Sequence, residues 1–140
     1  MDFKKQVENL KNIDLPKDQF VVVSSGALAV RGIREANDID VIVTPALWSE
    51  LMEKYKVKLN NSGVETIDLD NEIEILNPSQ SIFGNSSVVK IEDIFENADE
   101  FEGIRYINLD HLKTIKSVLG RDKDLIDIAL IEEYEKSFQK

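Results

Sequence analysis

The chain of 140 residues has no cysteine, one histidine and three prolines, and its 17 basic residues are outnumbered by 27 acidic ones. Each shortage excludes something. Without cysteine there is neither a disulfide framework nor a thiolate metal site, so packing must hold the fold. No apolar run approaches the roughly 18 residues that a membrane helix needs, and none follows Met1-Asp2-Phe3-Lys4-Lys5 as an export signal would. The expected location is therefore the cytoplasm. A formal net charge of −10 opposes a polyanionic partner, because nucleic-acid binding generally calls for a basic face. A small molecule or a protein is the expected partner, rather than bulk nucleic acid. No repeat, low-complexity tract or linker interrupts the chain, and its length suits a single domain over residues 1–140.

What is present is concentrated in residues 21–43. Phe20 to Val23 is a short β-branched run that suits a buried strand, and Ser24-Ser25-Gly26 breaks it before Ala27, Leu28, Ala29 and Val30 begin a helix. The first turn of a helix offers unpaired N–H groups and a positive dipole end, so a hydroxyl-and-glycine turn there can hold a phosphate. A second strand follows in Asp38-Ile39-Asp40-Val41-Ile42-Val43. Side chains alternate along a strand, which places Asp38 and Asp40 on one face and Ile39, Val41 and Val43 on the other.

Around this centre the pattern predicts a helix from Phe3 through Val7 and Leu10, stopped by Pro16. Another helix begins at Pro45 with Thr44 as N-cap, and its stripe of Leu47, Trp48, Leu51, Met52 and Tyr55 makes Trp48 a core residue. Residues 57–59, 64–69 and 72–76 read as strands, the last two joined by a tight Asp70-Asn71 turn. Glu72 and Glu74 share a face there, and Asp68 is a rival acid on the preceding strand. Residues 77–87 read as a loop beside the site. Residues 91–102, with six acids and no base, read as an amphipathic helix, and 104–107 as a strand. Asp110 is the expected N-cap of a helix that Gly120 ends; a last helix starts near Asp122 with Leu125, Ile128, Ala129 and Ile131 inward. Between Arg105 and Lys123 five bases face two acids, a local reversal of charge. Lys123 and Asp127 could pair as i,i+4 neighbours. His111, the one histidine, reads as incidental.

The succession of strand, small-residue turn, helix and D-x-D strand resembles the signature of the nucleotidyltransferase superfold, the group related to DNA polymerase β and to minimal and antibiotic nucleotidyltransferases. GIREANDID is similar to the G-h-R-x-T-x-D-h-D form of its small members, and HLKTIKSVLGRDKDLIDIALIEEY to their L-x-x-x-K…G-R-x-K-D-h-x-D ending. Here Ser25-Gly26 stands where that group has Gly-Gly or Gly-Ser. The resemblance implies an α/β (α+β) fold with a mixed sheet of four to five strands and helices mainly on one face. It also implies a metal-dependent transfer of a nucleoside monophosphate from an NTP to a hydroxyl acceptor. Asp38, Asp40 and Glu74 would hold two magnesium ions, Glu74 being favoured over Glu72 and Asp68 by its position. Ser25, Gly26, Arg34, Lys116, Arg121 and Lys123 would contact the triphosphate or brace the site. A second reading is a non-catalytic nucleotide-binding or protein-interaction module of the same fold, as in one half of a toxin–antitoxin-like pair.

Overall fold

The computed structural model describes residues 3–70 and 72–138. Helix α1 (Phe3–Ile13) is followed by a 3-10 turn and strand β1 (Phe20–Val23), then the short helix α2 (Ser25–Ala29). Strand β2 (Ile39–Val43), helix α3 (Pro45–Lys54) and strands β3 (Lys58–Leu59), β4 (Glu65–Leu69) and β5 (Ile73–Leu76) come next. The chain closes with α4 (Ile91–Glu96), β6 (Asp99–Phe101), β7 (Ile104–Tyr106), α5 (Leu109–Leu119) and α6 (Asp122–Lys136).

The strands form one mixed sheet in the order β3-β4-β5-β2-β1-β7-β6. Seven strands replace the expected four to five, because the short β3 and β6 lengthen the sheet at its two edges. The parallel pairs are β2 with β5 and β1 with β7, and the remaining neighbours run antiparallel. All four residues of β1 are buried, as are Ile39, Val41, Ile42 and Val43 of β2. A strand buried on both faces reads as a continuous apolar run. The centre of the sheet is thus covered on both sides.

Local chemistry explains most boundaries. Thr44 Oγ1 accepts from the Leu47 N–H and Pro45 opens α3, whose Leu47, Trp48 and Leu51 are buried while Met52 and Tyr55 stay exposed. The N-cap of α5 is Asn108, whose Oδ1 accepts from the His111 N–H at 2.7 Å; Asp110 lies in the first turn instead. Gly120 closes that helix at φ 61°, a left-handed position that glycine takes without a steric cost.

Two elements differ from the sequence reading. The expected helix over 91–102 stops at Glu96, and β6 pairs with β7 through a two-residue turn in which Glu102 (φ 50°) and Gly103 (φ 84°) both have positive φ. That turn has the backbone of a type I′ hairpin. The other difference is the roll of α6. Its inward residues are Asp124, Asp127 and Ile131, while Leu125 and Ala129 face solvent and Ile128 is half-buried. The expected Asp70-Asn71 turn includes Asn71, which lies outside the described residues.

Candidate active site

Sheet register assembles the acids. Glu74 is the direct partner of Asp40 across the parallel β2–β5 pair, and Asp68 is the partner of Glu74 across β4–β5. Paired residues project to the same face, so Asp40, Glu74 and Asp68 form a row over three strands spaced about 4.8 Å apart. Asp68, two strands from Asp40, is ion-paired to Lys58. Asp38 sits just before β2 and is exposed, whereas Asp40 is half-buried.

Asp38, Asp40 and Glu74 line a polar cleft of ≈ 250 Å³ whose other wall carries Arg34, Lys116, Arg121 and Lys123. Neither Glu72 nor Asp68 reaches it, and Gly26 does not line it either. Gly26 has a packing role instead: a Cβ there would lie 2.7 Å from Val22 Cγ1, so α2 can approach β1 only because no side chain intervenes. Ser25 is also committed. Its Oγ accepts from the Asn37 N–H at 3.1 Å and donates to the Asp38 carbonyl at 3.4 Å, stapling the turn to the loop that carries Asp38. From the other side, Gln6 of α1 donates through Nε2 to the Asn37 carbonyl at 2.9 Å; its Oε1 is buried without a partner among the described residues. Ser24 lines the cleft in a strained backbone, φ 61° and ψ −138°, a region that glycine occupies far more readily than serine.

Burial and like charge set the acidity. Burial first, then the charges of Glu74 and Asp38, push the Asp40 carboxyl up to about 7, against the opposing pull of Lys123 and Lys116. Glu74 is also raised, by burial and then by Asp68, with a hydrogen bond from Asn60 acting the other way.

The basic wall is organised by two acids, one of which, Asp124, the sequence reading did not single out, while the other, Asp127, it set against Lys123. Asp127, buried, receives Arg34 Nη1 and Lys116 Nζ, both at 2.8 Å. Asp124, also buried, receives Arg121 Nε at 2.6 Å and Lys116 Nζ at 3.4 Å. Burial opposes ionisation of Asp124, yet the Arg121 and Lys116 contacts hold its carboxyl below the usual range. The expected Lys123–Asp127 pair does not form, because Asp127 faces inward. Lys123 is exposed at the cleft and shows no ion pair among the described residues. The available signal for these acids was their i,i+3 spacing, which puts both on the helix face toward Lys116.

Among the described residues no group of three or more His, Asp or Glu side chains is gathered tightly enough to cage a metal ion. The donor chemistry still fits magnesium. That ion is commonly held by one or two carboxylates, with waters and substrate phosphates completing its shell, and Asp38 and Asp40 supply such a pair.

No family model matches the chain, and no curated protein matches it significantly. Among solved structures, a presumed nucleotidyltransferase from Thermotoga maritima superposes with a TM-score of 0.52 at 19% identity, over 96% of this chain and 90% of that one. The likeness establishes a nucleotidyltransferase-like fold, without distinguishing a minimal or antibiotic-type branch.

Proposed function

We propose that this protein is a metal-dependent nucleotidyltransferase that moves a nucleoside monophosphate from an NTP to a hydroxyl acceptor. One observation carries the reading: a single cleft sets Asp38, Asp40 and Glu74 against Arg34, Lys116, Arg121 and Lys123. A triphosphate with its cation needs both walls, acids for the metal and bases for the phosphate oxygens. Asp38 and Asp40 would hold magnesium, with Glu74 beside them. When bound, that ion would neutralise phosphate charge and favour ionisation of an acceptor hydroxyl. The residues themselves have separable tasks. Lys123, exposed and without an ion pair among the described residues, meets the phosphates directly. Lys116 and Arg34, tied to Asp127, supply a fixed positive potential, and Arg121 does so through Asp124. Glu74 lies next to Asp40 where an acceptor proton could be received. Bulk nucleic acid is not the acceptor in this reading, given the net charge of −10.

The second reading, a non-catalytic binding or interaction module, has its own support. Arg34, Lys116 and Arg121 already have carboxylate partners, which leaves less positive charge for a triphosphate. Pyrophosphate release separates the two readings. With magnesium and acceptor present, an enzyme releases it and a module does not.

Thermal shift tests the site without knowledge of the acceptor. Ligand at ~100 times its dissociation constant stabilises the folded state by about 2.7 kcal/mol, or roughly 8–12 °C here. We expect that shift with magnesium and the preferred NTP, its loss in EDTA, and its near-absence in Asp40→Asn. An equal, metal-independent shift in both proteins, or none with any of the four NTPs, would overturn the transferase reading.

A further inference from the structure

The acid row borders two cavities. Beyond the charged cleft lies a second chamber of ≈ 470 Å³, and the two share Ser24, Asp40, Glu74, Arg121 and Lys123. The ten residues that line the second chamber alone include no ionisable side chain, in a chain that is 31% charged. They are amides and hydroxyls from the β3–β4 turn and the 77–87 loop, above an aliphatic and aromatic floor that includes Leu76, Ile82 and Phe83. The polar rim is built, and part of it is left open to solvent. Asn60 Oδ1 accepts from the Ser62 and Val64 N–H groups, and Gln80 Oε1 accepts from the Glu65 N–H, so both walls are pinned. Asn61 and Ser62 are exposed, and among the described residues neither side chain makes a hydrogen bond.

From this division we infer that the second chamber is the acceptor site, and that its acceptor is an uncharged polyhydroxyl compound of monosaccharide size. The inference rests on the transferase reading above. Beyond the border that Asp40, Glu74, Arg121 and Lys123 share with the charged cleft, a polycation would find no acid in the chamber and a polyanion no base. A nucleobase would want an open ring face to stack on; the one aromatic residue here, Phe83, is buried. Carboxamides and hydroxyls suit sugar hydroxyls, which both donate and accept. Transfer then proceeds with Glu74 at the border. The acceptor oxygen bonds to the α-phosphorus of the NTP as the bond from that phosphorus to the pyrophosphate oxygen breaks. The hydroxyl proton passes to Glu74, and pyrophosphate leaves.

Amide shifts of the 15N-labelled full-length chain test this. The probes are a panel of uncharged monosaccharides and cyclitols, the four ribonucleosides, and spermidine. We expect members of the neutral panel to shift Asn61, Ser62 and Gln80, and Asn61→Trp, on an exposed turn, to weaken that binding at least about tenfold. The same variant should retain the response of Asn37 and Lys116 to magnesium and NTP. Shifts at the chamber from ribonucleosides or spermidine but not from the neutral panel would overturn the assignment, as would a silent panel. Chamber shifts without any response of Asn37 and Lys116 to magnesium and NTP would keep the sugar site and overturn the transferase reading.

Discussion

Asp40 is the residue on which the electrostatics of the site converge. Its carboxyl titrates near 7 when folded and near 3.8 when unfolded, so the folded state holds the proton more tightly. The resulting stability is fully present below pH 3.8 and is lost as pH rises through 7, since the slope follows the difference in bound protons. At about 1.4 kcal/mol per pKa unit, the loss is on the order of 4 kcal/mol. Asp124 has the opposite sign: its depressed pKa gives stability that disappears as pH falls below the ordinary aspartate range. Urea denaturation should therefore find the apo protein more stable at pH 5 than at pH 8. Asp40→Asn should flatten most of that slope and exceed wild type at pH 8; an unchanged slope in the variant would remove Asp40 as its cause. Ser24 allows a second test. Its backbone sits where a non-glycine residue is strained by about 1–3 kcal/mol, so Ser24→Gly should raise the melting temperature by roughly 3–5 °C even after the added unfolded-state entropy. Gly26→Ala should do the reverse, because Val22 Cγ1 occupies the space of the new methyl group.

At the level of elements, the sequence was most legible where apolar periodicity and turn chemistry agreed. The β1–α2–β2 unit, α3 with its Thr44 cap, and the in-phase DID and EIE strands all followed from alternation and capping. Strand β6 was hidden because all three of its residues are exposed and two are acidic, so it carries no apolar alternation and reads as more of α4. Helix α6 was misjudged for a physical reason. Its apolar residues were assigned inward by the usual sign of burial, but pairing with Lys116, Arg34 and Arg121 makes burial of Asp124 and Asp127 tolerable. The candidate acids and bases could thus be named from sequence, whereas the partners that hold the bases could not. The α5–α6 pairing yields a prediction. Asp127→Ala should destabilise the fold by about 3–5 kcal/mol, since it leaves the buried Lys116 ammonium without its nearest partner. The Lys116→Met, Asp127→Leu double variant should recover much of that loss in chemical denaturation and still fail to bind NTP. Recovery of stability and nucleotide binding together would show that the pair has no part in the phosphate wall.

Across the whole molecule, the excess of ten negative charges is unevenly spread, since between residues 105 and 123 five bases stand against two acids. Self-repulsion of that size is screened within about 10 Å at 0.1 M salt. Raising sodium chloride from 0.02 to 0.2 M should therefore raise the apo melting temperature by a few degrees, to a lesser extent in Asp40→Asn; a fall on adding salt would mean that the ion pairs of the basic wall outweigh the general repulsion. The sheet order has one more consequence, for the sequence of events in folding. Strand β1 meets β2 within 24 residues of chain, from Phe20 to Val43, but meets β7 through Val22 and Tyr106, 84 positions apart. Loop closure grows costlier with separation, so the β1–β5 portion can nucleate before β7 docks. On a ribosome the acid row would emerge complete while the helices bearing Lys116, Arg121 and Lys123 were still being made. The newborn chain would thus pass through a stage with the charge of a metal site and only Arg34 and Lys58 of its counterweight, when ambient magnesium could act as a folding aid.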